Sequence, residues 1–389
     1  MSSSPAIWKK KSPTQSDHDL TVNPDIEMSL EQDQRWLASL IYGNDKHLER
    51  FILEQSDKPV GWATFFVHPS ALRINLSNWT LYSRRIRRYT LFAPPLLDNH
   101  ADLDKLNVLQ NLFESLRNQL GQNEAIFLQS VTDGSPLAQL LTKNSPLHSS
   151  YHIFEYGQRY SHRYIDFTGD YDKYLKQLGS STRSDLKRTR KRFIDSVGTY
   201  KTICYRSSDE ISDFLDAAMA VSARTYQYIL LGGGLRDRQH LEKKYETTAK
   251  LGWFRSYVLF ADQQPIAFQV GHLYNGCYHA QEIGYDPDWG KSQAGIFLHT
   301  EIVPDLIASN GKVKRFDFGN DDNLHKKRLS TTATTESYVY LVPRNWQNNL
   351  IVYAMRTIDK LSNAAGRLLE KYNLRMHVSK LLWKFGGKK

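Results

Sequence analysis

The chain is poor in cysteine, which limits the chemistry that it can carry. Among its 389 residues only Cys204 and Cys277 are cysteines, and they form neither a CxxC motif nor a spacing typical of metal ligands. We therefore expect no metal site and no structural disulfide. A reducing compartment fits this composition best.

Long apolar runs are missing as well. No segment approaches the roughly 20 apolar residues of a membrane-spanning helix. Residues 1–11 lead into no apolar stretch of the kind found in secretory signals. The sequence therefore predicts a cytoplasmic protein.

What the chain has in excess is positive charge. Its 51 Lys and Arg residues outnumber 41 Asp and Glu residues, which gives a net charge of +10. Such an excess favours an anionic partner, which could be a phosphorylated cofactor, a nucleic acid or an acidic membrane surface. The aromatic content of 12% indicates that most of the chain folds.

Hydrophobic periodicity predicts a mixed α/β chain with two similar halves. Each half reads as three strands, a helix and a strand. In the first half these are expected at 59–67, 72–82, 88–94, 103–120 and 125–131, and in the second at 253–261, 265–274, 277–285, 294–310 and 314–319. A short strand at 164–167 and helices at 169–194, 208–228 and 236–250 are predicted between them. The shared order indicates an internal duplication.

The composition divides the chain into four segments. Residues 1–30 are predicted to be a disordered tail, 31–160 the first half and 161–342 the second half. Residues 343–389 are predicted to form two basic helices. This C-terminal segment is expected either to pack on the core as a helical cap or to contact a membrane surface.

An Asn275-Gly276 pair predicts a two-residue hairpin turn in the second half, because both turn residues must adopt positive φ. Such a turn fixes the strand register. Tyr274 is expected to face Cys277, His272 to face His279, and Val270 to face Gln281. We interpret the histidine pair as structural.

The segment 278–298 is the most informative for function. A strand ends near Tyr285, a loop containing Gly290 follows, and a helix begins near Gly295. Free N–H groups at a helix start bind phosphate, so this loop predicts a phosphate-binding site. Contacts are expected from Gln293, Ala294 and Gly295, with added charge from Lys291.

Three segments resemble the GNAT acyltransferases, and within them the Fem-like branch and its relatives associated with exopolysaccharide and cellulose biosynthesis. The first is 172–193, a helix leading into a strongly basic helix. The second is the 285–295 loop. The third is 314–327, KRFDFGNDDNLHKK, which is similar to the branch's rDFGxGDxxYK pattern, although His325 stands where Tyr is usual and Ala294 stands where the loop of relatives has Pro.

The resemblance implies tandem GNAT-like halves and transfer of an acyl group from acyl-coenzyme A to an amine. Relatives imply an acceptor among cell-envelope or polysaccharide precursors, and an acyl carrier protein could replace coenzyme A as donor. The first half has Pro94-Pro95 and no glycine before its helix, so it is predicted not to bind the donor. Donor contacts are predicted in the second half at Ile283, Gly284, Lys291, Ser292, Gln293, Ala294 and Gly295.

Two other functions stay open. A Fem-like transferase that uses aminoacyl-tRNA would match the basic helix. A non-enzymatic binder of nucleic acid or membrane would need a basic face with exposed aromatic residues. The aromatic residues here alternate with polar ones in strands, which is typical of a core, so we expect an enzyme and no specific nucleic acid.

Amine acylation needs a group that removes a proton from the acceptor. Glu282 and Asp317 are the two candidate bases, because each lies on a strand beside the predicted donor site. The thioester oxygen would be polarised by backbone N–H groups near Ile283 and Tyr285. Tyr285 or His325 would protonate the leaving thiolate.

The basic helix 183–192 predicts contacts to an anionic acceptor or to cofactor phosphates. Its charges go nearly all round the helix, so some are expected to point inward. Arg183 and Lys187 on this helix, and Lys326 in the third segment, are the predicted substrate-binding residues.

Overall fold

The computed structural model describes residues 5–11, 28–76, 79–230, 232–309, 311–355 and 357–358. The strands of this part are β1 (Ile7–Lys11), β2 (His47–Gln55), β3 (Lys58–Leu76), β4 (Trp79–Leu91), β5 (Leu96–Leu97), β6 (Glu124–Thr132), β7 (Tyr151–Asp166), β8 (Tyr200–Tyr205), β9 (Ser256–Ala261), β10 (Gln264–Tyr274), β11 (Cys277–Tyr285), β12 (Arg315–Asp317) and β13 (Thr332–Pro343). The named helices are α1 (Gln34–Ser39), α2 (Lys105–Gln119), α3 (Pro136–Leu140), α4 (Tyr171–Gln177), α5 (Ser180–Val197), α6 (Ile211–Ser222), α7 (Tyr226–Leu230), α8 (Arg238–Lys250), α9 (Ala294–Ile307) and α10 (Leu324–Leu329).

All of these strands lie in one open mixed sheet with helices on its faces. Its order is β1-β2-β3-β4-β6-β13-β7-β12-β11-β10-β9-β8, and β5 pairs with β3. The pairs β4–β6 and β11–β12 are parallel, and the other pairs are antiparallel. The predicted α/β class with two similar halves is therefore confirmed.

The halves have the same plan, and they exchange their last strands. The meander β2–β4, helix α2 and parallel strand β6 correspond to β9–β11, α9 and β12. Strand β7 follows the first half but pairs with β12, whereas β13 follows the second half but pairs with β6. β7 and β13 also pair with each other. The predicted boundary between residues 160 and 161 falls inside β7.

Amphipathic patterning explains the layers around the second half. Helices α4, α5 and α9 pack on one face through a cluster that includes Phe193 and Phe297, whose ring centroids are 3.8 Å apart. Helices α6 and α8 pack on the other face around Phe214 and Tyr245. Adjacent strand residues point to opposite faces. Tyr257 and Val258 of β9 accordingly belong to the two different clusters.

The second half follows its predicted elements closely, whereas the first half differs. Two strands predicted at 72–82 and 88–94 are replaced by the end of β3 and the long strand β4. Strand β2 was not predicted. Its side chains and those of β3 are covered by the cluster that includes Phe51 and Phe65. Burial on both faces weakens the alternation of polar and apolar residues on which strand prediction depends.

The structure corrects the prediction for the N-terminal segment and describes only part of the C-terminal one. Ile7–Lys11 is a strand within the segment predicted as disordered, because Trp8 is buried and its indole Nε1 donates to the Val108 carbonyl at 2.8 Å. Residues 346–355 and 357–358 are helical, and the second predicted C-terminal helix lies outside the described residues. No helix in the described ranges is long and apolar enough to cross a membrane.

Candidate functional site

The candidate site is a gap between β11 and β12. These strands pair only from Cys277–Arg315 to His279–Asp317, after which β12 ends and β11 continues to Tyr285. Asp286 N–H donates to the Ile266 carbonyl on β10. Since hydrogen-bonding directions alternate along a strand, the N–H groups of residues 283 and 285 lie on the edge that faces the gap. This edge can accept an extended ligand.

A β-bulge interrupts the regular pairing of β10 with β11. Val270 pairs with Glu282 and Gly271 pairs with Ala280, so Gln281 is an extra residue in β11. The predicted Val270–Gln281 pairing is therefore wrong, because a regular two-residue period cannot anticipate an inserted residue. The predicted pairings of Tyr274 with Cys277 and of His272 with His279 are confirmed, as is the turn at Asn275 and Gly276 with φ of 45° and 75°.

The predicted phosphate loop runs from β11 to the N-terminus of α9. Gln293 precedes the helix in a left-handed conformation with φ of 56°, and its side-chain oxygen accepts a hydrogen bond from the Thr189 hydroxyl on α5. Ala294 and Gly295 begin the helix, whose first N–H groups have no partner within the helix. The loop therefore presents donors to an anion.

The other predicted donor contacts have distinct surroundings. Ile283 and Tyr285 are exposed, and a Cβ on Gly295 would lie 3.3 Å from the Tyr285 ring, so that ring lies beside the start of α9. A Cβ on Gly284 would lie 2.4 Å from Phe268, which makes this glycine necessary for packing. Lys291 is exposed, and Ser292 accepts a hydrogen bond from the Ser196 hydroxyl at 3.4 Å.

Helices α5, α9 and α10 enclose a cavity of about 460 Å³ next to this loop. Its lining includes the guanidinium groups of Arg188, Arg192 and Arg328, and one carboxylate, Asp185, which pairs with Arg188 and Arg328. The side chains that line the cavity therefore carry a net positive charge. Arg188 and Arg192 belong to the basic helix for which the sequence predicts contacts to an anion, and their spacing of four residues places them on one face of α5. Arg328 was not singled out by the sequence.

His325 also lines this cavity. Burial lowers the pKa of its imidazole to about 4, and the charges of Arg328 and Lys326 act in the same direction. The protonation of the leaving thiolate by His325 or Tyr285 stays a prediction. Its buried Nε2 has no hydrogen-bond partner among the described residues.

A larger cleft of about 930 Å³ lies between the two halves. Its polar wall comes from four strands that the strand exchange brings together, with His162 on β7, His279 on β11, Asp317 on β12 and Glu336 on β13. Helix α10 lies between the two spaces, since its His325 lines the smaller cavity and its Lys326 lines the cleft.

His162 bridges two carboxylates in this cleft. Its Nε2 lies 2.6 Å from Asp317 Oδ1, and its Nδ1 lies 3.1 Å from Glu336 Oε1. Burial alone would lower the pKa of His162, but these two hydrogen bonds raise it to about 9. Burial opposes the ionised state of Asp317, yet hydrogen bonds from His162 and His279 hold its pKa well below the usual range. At neutral pH, His162 is a cation between two anions.

Glu336 and His279 complete the network. Ser130 Oγ donates to Glu336 Oε2 at 2.7 Å and Tyr160 OH donates to the same oxygen at 3.1 Å. His279 Nδ1 lies 3.5 Å from Asp317 Oδ2, and although burial opposes its charge, nearby carboxylates including Glu31 raise its pKa well above the ordinary value. None of His162, Ser130 and Glu336 was singled out by the sequence.

The cleft also groups three side chains of metal-ligating type. Potential ligand atoms of Cys277, His279 and Asp317 lie within 4.8 Å of one another, although the sequence predicted no metal site. His279 Nδ1 also lies 3.6 Å from Glu31 Oε1, so these side chains belong to the ion network of the cleft.

The two candidate bases lie in different surroundings. Asp317 lines the cleft, and Glu282 is not among the cleft-lining residues. Burial raises the pKa of Glu282, and Lys244 on α8 opposes the rise. Burial also lowers the pKa of Lys244 to about 8. The raised pKa of Glu282 suits a group that accepts a proton, whereas the pKa of Asp317 is lowered. Of the two carboxylates, however, only Asp317 lines the cleft.

The predicted substrate-binding residues are not brought together. Arg183 donates to the Leu178 carbonyl at 2.5 Å, near the end of α4, and Lys187 is exposed on α5. Lys326 does line the cleft, where its Nζ donates to the Asn320 carbonyl at 2.8 Å. The buried face of α5 is formed by Thr182, Leu186, Thr189 and Phe193. Basic side chains of α5 do not enter the core, but Arg188 and Arg192 line the smaller cavity.

The His162 bridge predicts a pH-dependent stability. A pKa raised from 6.5 to about 9 corresponds to roughly 3 kcal/mol of stabilisation. This contribution is complete below pH 6.5 and disappears as the pH rises through about 9. The unfolding free energy of wild type should therefore exceed that of His162→Gln by an amount that shrinks over this range, as measured by denaturant titration. The exposed His47→Gln variant is the control, and a difference that is constant with pH would contradict the bridge.

Comparisons with known proteins give a family match for part of the chain. The sequence model of the acetyltransferase (GNAT) domain matches residues 180–327, which run from α5 into α10 and include the loop, most residues that line the smaller cavity, and Asp317. No curated protein matches the chain in sequence.

Solved structures resemble the whole chain. The crystal structure of FemX is similar with a TM-score of 0.54 and 11% identity, covering 83% of this chain and 94% of FemX. A conserved protein of unknown function from Bacteroides thetaiotaomicron has a TM-score of 0.50 and 12% identity, covering 80% of this chain and 90% of that one. At such identities the likeness concerns the fold. Residues 180–327 are therefore similar to the acetyltransferase (GNAT) domain, and the fold of the chain is similar to that of FemX.

Proposed function

We propose that the chain transfers an acyl group from acyl-coenzyme A to an amine. The observation that carries this proposal is the position of the β11–β12 gap. A cationic cavity with a helix N-terminus lies at one side, and a cleft that contains the Asp317 carboxylate lies at the other. A donor phosphate requires the positive charge of the cavity, and an acceptor amine requires a carboxylate such as that of Asp317.

The residues present fit a coenzyme A thioester. The start of α9 offers backbone donors for the pyrophosphate, and Arg188, Arg192 and Arg328 add positive charge around it. The free edge of β11 can hydrogen-bond to the amide groups of an extended arm. When bound, the thioester supplies a carbonyl that an amine can attack.

The cleft fits an amine acceptor. Its five carboxylates are balanced by five basic side chains, so the feature that suits an amine is the position of Asp317 at the end of β12. The carboxylates are those of Glu31, Asp166, Asp317, Asp321 and Glu336, and the basic groups are those of His162, His279, Lys314, Arg315 and Lys326. An ionised Asp317 can orient the amine and stabilise the positive charge that its nitrogen gains as the amide bond forms. The carbon–sulfur bond breaks, and the proton lost by nitrogen balances the one gained by the thiolate. Among amines we propose a cell-envelope or polysaccharide precursor, on the resemblance of the three sequence segments.

Calorimetric titration with acetyl-, medium- and long-chain acyl-coenzyme A tests the donor. We expect micromolar binding for one chain length, and the Arg192→Glu variant should weaken it about 10-fold or more by adding repulsion to the phosphates. Lys191→Glu is the matched control, because Lys191 is an exposed neighbour on α5 that does not line the cavity. Its affinity should stay close to that of wild type.

Failure to bind any thioester would reject coenzyme A as the donor, provided that thermal unfolding shows a folded protein. Titration with aminoacyl-tRNA and with an acylated carrier protein would then identify the alternative. Equal losses in the two charge-reversal variants would indicate general electrostatic attraction and no specific contact in the cavity.

A further inference from the structure

The helix formed by residues 346–355 and 357–358, here called the C-terminal helix, is firmly docked by one face. Val352 and Ile351 are buried, and Val352 packs in a cluster with Ile86 of β4. Asn348 is also buried and donates to the Pro343 carbonyl at 2.8 Å, while Asn349 Oδ1 lies 2.7 Å from His152 Nε2. These contacts fix the rotation of the helix about its axis.

The opposite face of the C-terminal helix presents large apolar side chains to solvent. Trp346 is 68% exposed, Leu350 is 63% exposed and Tyr353 is 73% exposed. Their spacing of four and three residues places them in one row along the helix. A contiguous exposed row of this kind marks a binding surface more often than a solvated one.

The hairpin of β3 and β4 extends this surface. Arg84 of β4 donates to Asn348 Oδ1 and to Gln347 Oε1, each at 2.9 Å, so the hairpin lies against the start of the C-terminal helix. Tyr82 points to the same side of β4 as Arg84, because side chains alternate along a strand. Tyr82 and Leu81 are both large and exposed, so the hairpin adds exposed apolar side chains close to the residue that contacts the start of the C-terminal helix.

The charge of the chain is concentrated in the same region of the sequence. Residues 344–389 contain ten Lys and Arg residues against two Asp and Glu residues, so they carry +8 of the net charge of +10. Arg84, Arg85 and Arg87 add positive charge on the adjoining hairpin. An apolar row flanked by basic residues is the composition of elements that lie in the interface of an anionic bilayer.

We propose that the outer face of the C-terminal helix, together with Leu81 and Tyr82, binds the surface of a bilayer rich in anionic phospholipid. Leu350 and the rings of Trp346 and Tyr353 enter the boundary between headgroups and acyl chains, where Trp and Tyr are favoured. The positive charge of this part of the sequence, with that of Arg85 and Arg87 on the hairpin, attracts the anionic headgroups. The inner face of the helix stays docked on the sheet, so the helix lies along the membrane plane.

Flotation of the full chain with vesicles tests this surface. Wild type should float with phosphatidylcholine vesicles that contain a quarter phosphatidylglycerol, bind weakly to pure phosphatidylcholine, and be released by salt. The triple variant Trp346→Ser, Leu350→Ser, Tyr353→Ser should reduce anionic-vesicle binding about 10-fold or more, because it removes the apolar contribution. Thermal unfolding should be nearly unchanged, since all three side chains are exposed.

A second exposed apolar set provides the matched control. Tyr226, Ile229 and Leu230 on α7 are as exposed as the proposed row, at 57%, 65% and 75%. Replacing these three with Ser should leave vesicle binding close to that of wild type. Equal binding to both vesicle types, or equal loss in both triple variants, would overturn the proposal.

Binding of a different partner at this surface would also overturn the membrane proposal, and two such partners can be tested. Tighter binding to random duplex DNA than to vesicles, unaffected by the C-terminal triple variant, would identify a nucleic-acid surface. Concentration-dependent dimerisation without lipid, abolished by the same variant in analytical ultracentrifugation, would identify a second copy of the chain as the partner.

Discussion

Replacing Asp317 with asparagine should lower kcat for acyl transfer by about 10²- to 10⁴-fold, while the affinity for acyl-coenzyme A stays within a few-fold of wild type. The carboxylate lies in the cleft at the point where β11 and β12 separate, and His162 and His279 keep it ionised. Asparagine retains an oxygen that can accept the His162 hydrogen bond, but it has no charge with which to orient an amine. Steady-state rates and calorimetry on the same preparation separate these two effects.

Two variants serve as controls for this prediction. Asp322→Asn removes a carboxylate from the loop that follows β12, where Asp322 pairs with Arg163, and should have little effect on kcat. Glu282→Gln tests the other candidate base. A larger loss of kcat in Glu282→Gln than in Asp317→Asn would assign proton removal to Glu282 and would contradict the role given to Asp317. Thermal unfolding must accompany both measurements, since Asp317 is hydrogen-bonded to His162 and lies 3.5 Å from His279.

The elements around the donor loop could be predicted from sequence because their signals are local. Strand β11 has the predicted bounds, and α9 begins at the predicted Ala294. The turn at Asn275-Gly276 requires two positive φ angles, which few residue pairs adopt. Each of these features is decided within about ten residues, so no knowledge of distant contacts was needed.

The network of His162, His279, Asp317 and Glu336 could not be predicted in this way, because its members meet only through the strand exchange. His162 is separated in sequence from Asp317 by 155 residues and from Glu336 by 174 residues. No periodicity within β7 indicates that its neighbours are β12 and β13. The Gln281 bulge was missed for a related reason, since the residue opposite an insertion is fixed by pairing with another strand.

The strand exchange predicts that neither half folds alone. In a fragment of residues 1–166, β6 would lack β13, and β7 would lack both of its neighbours, β13 and β12. Val339 and Leu341 of β13 are buried in the same cluster as Ile126 and Leu128 of β6. Their loss would expose apolar surface and leave long strand edges without partners, which favours aggregation.

We therefore expect the fragment of residues 1–166 to be insoluble or to lack a cooperative thermal transition when it is expressed alone. The complementary fragment 167–389 should behave in the same way, because it lacks β7. Co-expression of the two should restore a soluble complex that elutes with the intact chain and binds the same acyl-coenzyme A, since the cut lies just beyond the end of β7. A monomeric, cooperatively folding fragment of residues 1–166 would show instead that β6 and β7 can pair directly. In that case the cleft would form when two independently folded halves dock, and the two halves would not need to fold together.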